Sequence, residues 1–338
     1  MATIYDVARE SGFSLATISN VVNNGGRPVK PETREKILET IQRLNYYPNA
    51  IARGLARQRT HTLGIIFGVV EASEIILNDY TLAILQAVLS VSAVKGYNVT
   101  HITERWQDSK SSPLSFRDGR TDGFLVVAPP TDSGLMTMLG SLEIPLVAVS
   151  WSEKMSTIPS VDVDDQVGAQ LLMDHLLDLG HRRIAHITGH QNLVSSQVRE
   201  RVYRHSLNAA GIELDADYLR AGRYSPKDGY EQTKKLFELA APPTAIFAAN
   251  DEIAFGVYDA ASEMGIEIPR RLSLVGVDDR SMASMFRPAL TTIKQPFDEV
   301  GKAATHLLIR RIEGEEISSE THLFKPSLVK RDSTAPPA

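Results

Sequence analysis

The chain of 338 residues contains no cysteine. Disulfide frameworks, thiolate zinc sites, iron–sulfur clusters and cysteine nucleophiles are excluded, and a reducing compartment fits. No apolar run reaches the roughly 18 residues that a membrane span requires, so no membrane partner is expected. The opening Met-Ala-Thr-Ile-Tyr-Asp-Val-Ala-Arg-Glu carries acids and lacks an apolar h-region, so it is not expected to be a signal peptide. There is no G-x-x-x-x-G-K-[ST], no G-x-G-x-x-G after a strand, no H-E-x-x-H and no G-x-S-x-G. The nine histidines show no metal-ligand spacing. Asp278 and Asp279 point to different sides of a strand end and make a poor acid–base dyad. No catalytic residue, metal or cofactor is therefore expected.

What remains is an ordinary globular composition, 43% apolar and 23% charged, enough for two or three domains. The net charge of −5 conceals a division. Residues 1–60 hold nine Lys/Arg against five Asp/Glu, a net of +4, which leaves −9 on the rest. A basic head on an acidic body suggests a polyanion partner for the head, although such a segment is often only a solvated surface.

The head reads as short helices. Thr3 can cap a helix from Ile4, with Asp6 in the capping-box position, and Gly12 suits its end. Ser14 can cap a second helix through about Val22, with Ile18, Val21 and Val22 facing inward. Two short helices joined by Gly12-Phe13-Ser14 form a helix-turn-helix. After the Asn23–Gly26 loop, a third helix follows from about Pro31, with Ile37, Ile41 and Leu44 as its stripe. In a major groove the second helix would present Leu15, Ala16 and Thr17, with Asn20 one turn on. Asn can pair bidentately with adenine, and small apolar groups can meet a thymine methyl. Ser14, Thr17 and Ser19 can bond phosphates. A three-helix bundle with a polar outer face is the alternative.

The following segment, Asn49 to Arg57, has a good cap but barely two helical turns, and Gly54 weakens it. It is expected to order only on a partner. Leu55 among Arg53, Arg57 and Arg59 is an apolar wedge flanked by arginines, as a minor-groove kinking element needs; a flexible linker is the bland reading.

The text Ala2-Thr3-Ile4-Tyr5-Asp6-Val7-Ala8, Ser14-x-x-Thr17-Ile18-Ser19-x-Val21-Val22-Asn23, Glu32-Thr33-Arg34-Glu35-Lys36, Leu44-x-Tyr46-x-Pro48-Asn49 and Ala52-Arg53-x-Leu55 resembles the DNA-binding end of the lactose-repressor (LacI/GalR) family. The resemblance implies base reading by Leu15, Ala16 and Asn20, and a hinge helix over 49–57 that folds on DNA in a dimer. It makes Leu55 the residue inserted in the minor groove. Tyr5, Ser14, Thr17, Ser19, Asn23, Thr33, Asn49 and Arg53 complete the implied DNA-binding set. Two departures stand out: Gly25-Gly26-Arg27 lengthens the loop before the third helix, and Gly54 replaces the family's usual Ser or Gln.

The body alternates apolar strands (Leu63–Val69, Val99–Thr103, Phe124–Ala128, Leu146–Val149, Ile184–Thr188, Ala245–Ala248, Leu272–Val277) with helices (Tyr80–Lys95, Gln166–Leu179, Val198–Ala210, Glu252–Met264). This pattern predicts βαβ units in two parallel-sheet α/β subdomains. The resemblance continues through Gly180-His181-Arg182-Arg183-Ile184-Ala185, Ala248-Ala249-Asn250-Asp251, Ser273–Asp279 and Pro288–Pro296. It implies a periplasmic-binding-protein-like core with three crossings and a small molecule in the cleft. Here too there are departures: residues 107–120 form a short, broken segment where relatives carry a full helix, and Val202-Tyr203 stands where the family usually has Gly-Phe after its arginine.

Ligands of open α/β sheets sit beyond the carboxyl ends of strands. Asp278 and Asn250 follow such ends and can bond vicinal hydroxyls. Arg199 offers a fork for a ring oxygen, hydroxyl or carboxylate. Tyr224 and Trp151 can stack on a sugar face. The resemblance maps Tyr80, Thr81, Trp151, Asp164, Ser195, Arg199, Tyr224, Asn250, Asp278 and Gln295 onto effector contacts. Against this stand structural roles: Asp251 as the cap of the helix at 252–264, Asp164 and Asp165 as turn or cap residues, His181 as a turn residue, Trp151 as core or wall.

These readings predict a helix-turn-helix domain at 1–47, a hinge and linker at 48–60, an effector-binding and dimerisation core at 61–331 and a frayed tail at 332–338. The expected protein is a cytoplasmic, nucleoid-associated homodimer that binds a palindromic double-stranded operator under control of a saccharide effector. Its rivals are a sugar-modifying enzyme with a regulatory head, which ligand turnover would reveal, and an uptake binding protein, which needs an export signal.

Overall fold

The computed structural model describes residues 2–22, 27–47, 59–68, 79–102, 116–131, 134–151 and 157–338. The chain divides into two compact units, Met1–His61 and Thr62–Ala338. Of the expected hinge and linker, residues 48–58 fall outside the described set, and so does most of the segment 107–120.

In the first unit, α1 (Ile4–Ser11), α2 (Leu15–Val22) and α3 (Pro31–Arg43) enclose a small core of Val7, Ile18, Val21 and Ile37. Thr3 and Asp6 form the reciprocal capping box that the spacing predicts. Gly12 ends α1 in the left-handed region at φ 76°, where a side chain would be strained.

Among the described residues, the second unit holds two six-stranded sheets. The first comprises β1 (Thr62–Phe67), β2 (Asn98–His101), β3 (Gly123–Val127), β4 (Leu146–Val149), β5 (Ser160–Val163) and β11 (Thr321–Phe324), in the order β11-β5-β4-β3-β1-β2, all parallel. The second comprises β6 (Ile184–Ile187), β7 (Leu219–Arg220), β8 (Ala245–Ala248), β9 (Ser273–Asp278), β10 (Thr291–Lys294) and β12 (Ser327–Val329), in the order β12-β10-β9-β8-β6-β7. Only β12 runs antiparallel to its neighbour. The chain crosses between sheets three times: after β5, after β10 and after β11.

Helices cover these sheets because the central strands are apolar on both faces, as the continuous runs required. On the first sheet, α4 (Asp79–Lys95) packs with α10 (Phe297–Ile312), burying Ile84, Val88, Val300 and Leu308. A short α5 (Leu135–Gly140) closes the other side with Trp151 and Phe124. On the second sheet, α6 (Asp165–Asp178) and α7 (Val194–Ala209) bury Leu172, Met173 and Tyr203. The opposite side carries α8 (Pro226–Phe237) and α9 (Asp251–Glu263). These two touch backbone to backbone: a Cβ on Gly256 would lie 1.8 Å from the Pro226 oxygen.

The tail contradicts its expected fraying: hydrogen bonds tie it to the second sheet as far as Ala335. The Ser333 hydroxyl donates to the Leu274 carbonyl at 2.6 Å and accepts the Thr291 N–H at 2.7 Å. The Ala335 carbonyl accepts from Ser273 and from His181 Nε2, both at 3.0 Å. Residues 333–335 therefore complete backbone and side-chain groups of β9 and β10 that nothing nearby in sequence could satisfy. Deleting 333–338 should cost about 2 kcal/mol or more, at about 0.5–1.5 kcal/mol per lost hydrogen bond. A thermal melt of the truncated chain that coincides with wild type would show that these bonds add nothing.

Candidate functional site

In the head, Ser14, Leu15 and Ala16 lie exposed at the start of α2, with Thr17, Ser19 and Asn20 half-buried behind them. Ser14 does double work there. Its hydroxyl accepts the Thr17 N–H at 3.2 Å and shares a hydrogen bond with the Thr17 hydroxyl at 2.9 Å. The Asn20 amide, expected to read adenine, donates to the Arg27 carbonyl at 2.7 Å. Base reading would have to exchange that bond for one to the base edge. Tyr5 is strongly exposed and Thr33 half-buried at the start of α3. Asn23, Asn49, Arg53 and Leu55 lie outside the described residues.

The second unit gathers most of the effector candidates where the strands of both sheets end. Arg199 of α7 is 5% exposed. Its Nε and Nη2 both donate to Asp165 Oδ1, at 3.0 and 2.7 Å, and its Nη1 donates to the Ala249 carbonyl at 2.7 Å. Burial alone would weaken its charge, but Asp165, Tyr224 and Asp278 around it more than compensate and hold its pKa above the usual value. Asp278 ends β9 at φ 125° and accepts from Gln295 Nε2 at 2.7 Å. Burial pushes its carboxyl up to about 7, against the lowering pull of Arg199 and Gln295. Tyr224 lies flat over Gly189, where a Cβ would meet its ring at 1.9 Å, and its hydroxyl shares a hydrogen bond with Ser195 at 3.1 Å. From the first sheet, Tyr80 donates to the Ser150 hydroxyl at 2.7 Å and meets Phe297 edge-on. Thr81 is buried beside it in sequence. The connections after β3 and β6 also meet: the Thr131 N–H donates to the Asn192 carbonyl at 2.8 Å, and Val194 at the start of α7 packs against the cluster that holds Trp151.

One cap assignment changes, and two alternatives left open by the sequence take their structural form. Asp251 was expected to cap α9, but Asn250 does so, its Oδ1 accepting the Ile253 N–H at 2.9 Å. Both residue types suit a cap, and the helix starts one residue earlier than expected. Asp251 is instead fully buried and accepts from the Thr292 hydroxyl at 2.6 Å and the Arg280 N–H at 2.8 Å. Asp164 caps α6 through the Val167 N–H at 3.0 Å, whereas its neighbour Asp165 is the partner of Arg199. Trp151, 4% exposed, sits in the first sheet's apolar cluster, the core reading left open for it. His181 bonds the Thr244 hydroxyl and the tail, a turn residue as expected.

Residues that sequence reasoning missed are Ser150 and Asp162. Asp162 lies in β5, 5% exposed, with Oδ1 accepting the Val163 N–H at 2.7 Å and the Ser150 side chain beside it. Its signal was an acid inside the short strand Ser160-Val161-Asp162-Val163. Among the described residues no cluster of His, Asp or Glu could hold a metal ion, and no helix is long and apolar enough to cross a membrane.

Residues 3–49 match the bacterial regulatory proteins of the lacI family, and residues 173–334 match a periplasmic binding protein-like domain. Catabolite control protein A of Priestia megaterium is 33% identical over 335 residues, covering 98% of this chain and 99% of that one. The chain belongs to the lacI family. The Lac repressor dimer, solved bound to operator and the anti-inducer ONPF, matches with a TM-score of 0.86 and 29% identity over 99% of both chains. A LacI family regulator of Enterococcus faecium, solved with bound ribose, matches with a TM-score of 0.69 and 28% identity, covering 81% of this chain and 99% of that one. The LacI-family architecture thus runs the length of the chain. It is a transcriptional repressor with a helix-turn-helix head and an effector-binding core.

Proposed function

We propose that this repressor is a cytoplasmic, nucleoid-associated homodimer. It binds a palindromic operator through two heads, as a protein two-fold demands, and releases or grips it when a saccharide enters the cleft. The observation that carries the effector reading is the buried Arg199–Asp165 pair with Asp278 and Tyr224 around it. Asp278 ends β9 and Tyr224 follows β7 of the second sheet, with Arg199 on α7 after β6, while Asp165 follows β5 of the first sheet, the side that also supplies Tyr80 and Ser150. Carboxyl, amide and guanidinium groups beside a flat aromatic face are what hydroxyls and a sugar ring require. The ribose bound to the Enterococcus faecium relative supports the same class of ligand. No turnover of the ligand is expected. A thermal-shift screen of the full chain against sugars and nucleobases tests the reading: sugars should raise the melting temperature, and a response to nucleobases alone would overturn it.

The dimer would close over exposed apolar residues of both sheets: Leu82 and Leu89, two turns apart on one face of α4, and Met282 and Met285 beyond β9. The dimeric Lac repressor supports this assembly. Leu89→Glu combined with Met285→Glu should give monomers in sedimentation velocity; an unchanged dimer would place the interface elsewhere.

Direct readout assigns one position of the operator to Asn20. Asn20→Ala should relax base preference there by about 1–3 kcal/mol, the value of a bidentate pair. Sites selected from random DNA by wild type and variant should differ at that position; identical preferences would remove Asn20 from the reading set.

A further inference from the structure

Among the described residues, the charges in the cleft do not balance. Arg199 is the buried cation among them there, and Asp165 already compensates it through both Nε and Nη2. Two more carboxyls face the same group, Asp162 from the first sheet and Asp278 from the second. Among the described residues neither is ion-paired. Asp162 has the Val163 N–H and Ser150; Asp278 has Gln295. The other charges nearby do not relieve them. Glu252 adds a further negative charge facing Asp278. Asp279 is taken by Arg331 at 2.6 Å, and Asp251 by Thr292 and the Arg280 N–H. The Arg280 guanidinium lies over the Phe297 ring, 5.9 Å from its centroid. Tyr80, also close to Asp162 and Asp278, contributes no positive charge.

Buried carboxyls without a cation avoid the cost of charge by keeping a proton, and burial raises both groups in that direction. A protonated carboxyl offers a donor and an acceptor, which suits a hydroxyl. An arriving ammonium would let one ionise, with the proton passing to solvent. An arriving phosphate or carboxylate would find Arg199, the buried cation among the described residues, already engaged by Asp165, and would face the charge of Asp165 and, once pH rises through about 7, of Asp278 in a water-poor site.

We infer that the cleft is a charge filter: it takes a neutral or ammonium-bearing polyol and rejects the phosphorylated or carboxylated form of the same molecule. The inference rests on the reading of the cleft as the effector site.

The test uses the full chain and matched sets: ribose with ribose 5-phosphate, and glucose with glucosamine, glucose 6-phosphate and glucuronate. Calorimetry should show every polyol that binds losing about 100-fold or more in affinity when an anionic group is added. In Asp162→Asn or Asp278→Asn, which keep the shape and remove the acid, that loss should shrink about tenfold. Steric exclusion would leave the loss unchanged in both variants and would overturn the proposal, as would an anionic form that binds as well as its parent. If nucleobases bind and no polyol does, the effector reading fails, and the charge claim is decided without ligand. Folding raises these two acids above their unfolded pKa, so the stability they contribute is present in acid and is lost as pH rises through about 7 for Asp278. The melting temperature should therefore fall between pH 5 and 8 more steeply in wild type than in either Asn variant. Superimposable profiles would overturn the filter.

Discussion

Raising salt from about 50 to about 200 mM should weaken operator binding on the order of 10³-fold, given about six phosphate contacts by the two heads of a dimer. The expectation follows from the charge division. The first 60 residues carry a net of +4 and the remainder −9, so the head alone offers a polyanion attraction, and the body adds repulsion. Each neutralised phosphate releases counterions and adds about −0.9 to the slope of log affinity against log salt. Fluorescence anisotropy over that range measures the slope directly. A flat response would mean that the head does not hold the DNA backbone.

Arg199→Ala should abolish the ligand response and destabilise the core together. Its guanidinium is buried and makes three hydrogen bonds, two to Asp165 and one to the Ala249 carbonyl. Removing it leaves Asp165 without its cation at about 11% side-chain exposure, and breaking a buried pair in this way costs about 3–5 kcal/mol. Arg199→Lys separates the two effects. It keeps the charge near Asp165, but it cannot reproduce a fork that bonds a carboxylate and a carbonyl at once. Its fold should persist while ligand affinity falls by a hundredfold or more, about 2.7 kcal/mol at 1.4 kcal/mol per decade. In an induced repressor, operator binding without ligand should survive this change; in a co-repressed one, tight operator binding should be lost. Wild-type ligand affinity in Arg199→Lys, read by calorimetry, would make Arg199 a structural residue of the second sheet.

How much of this could be read from sequence depended on whether the deciding contact was local. The capping box of Thr3 and Asp6 spans three residues and was legible, as were the inward Ile18 and Val21. The left-handed turns at Gly180 and Gly265 were likewise marked by glycine after an apolar helix. Strands β5, β10, β11 and β12 were not legible. They are three or four residues long, and β5 carries Asp162 in its middle, which breaks the apolar run that flags a buried strand. α8 hid behind a polar sequence, although Ser225 and Asp228 mark its start. Within the cleft, the strand-end rule located Asp278 and Asn250. It could not say which member of Asp164-Asp165 or of Asn250-Asp251 would cap its helix, because both fit the chemistry and a one-residue register decides. The tail resisted for another reason: Ser333 and Ala335 are ordered by Ser273, Leu274 and Thr291, some forty to sixty residues away, and no periodicity announces such bonds.

The central claim is that a small molecule bound between the two sheets of the core governs how tightly the head holds operator. It is tested most directly by measuring operator affinity of the intact chain with and without a saturating sugar drawn from the thermal-shift screen, with Arg199→Lys measured in parallel. The account predicts a change of tenfold or more in wild type, weaker for an inducer or tighter for a co-repressor, and no change in the variant. A sugar that saturates the core and leaves operator affinity where it was would contradict it.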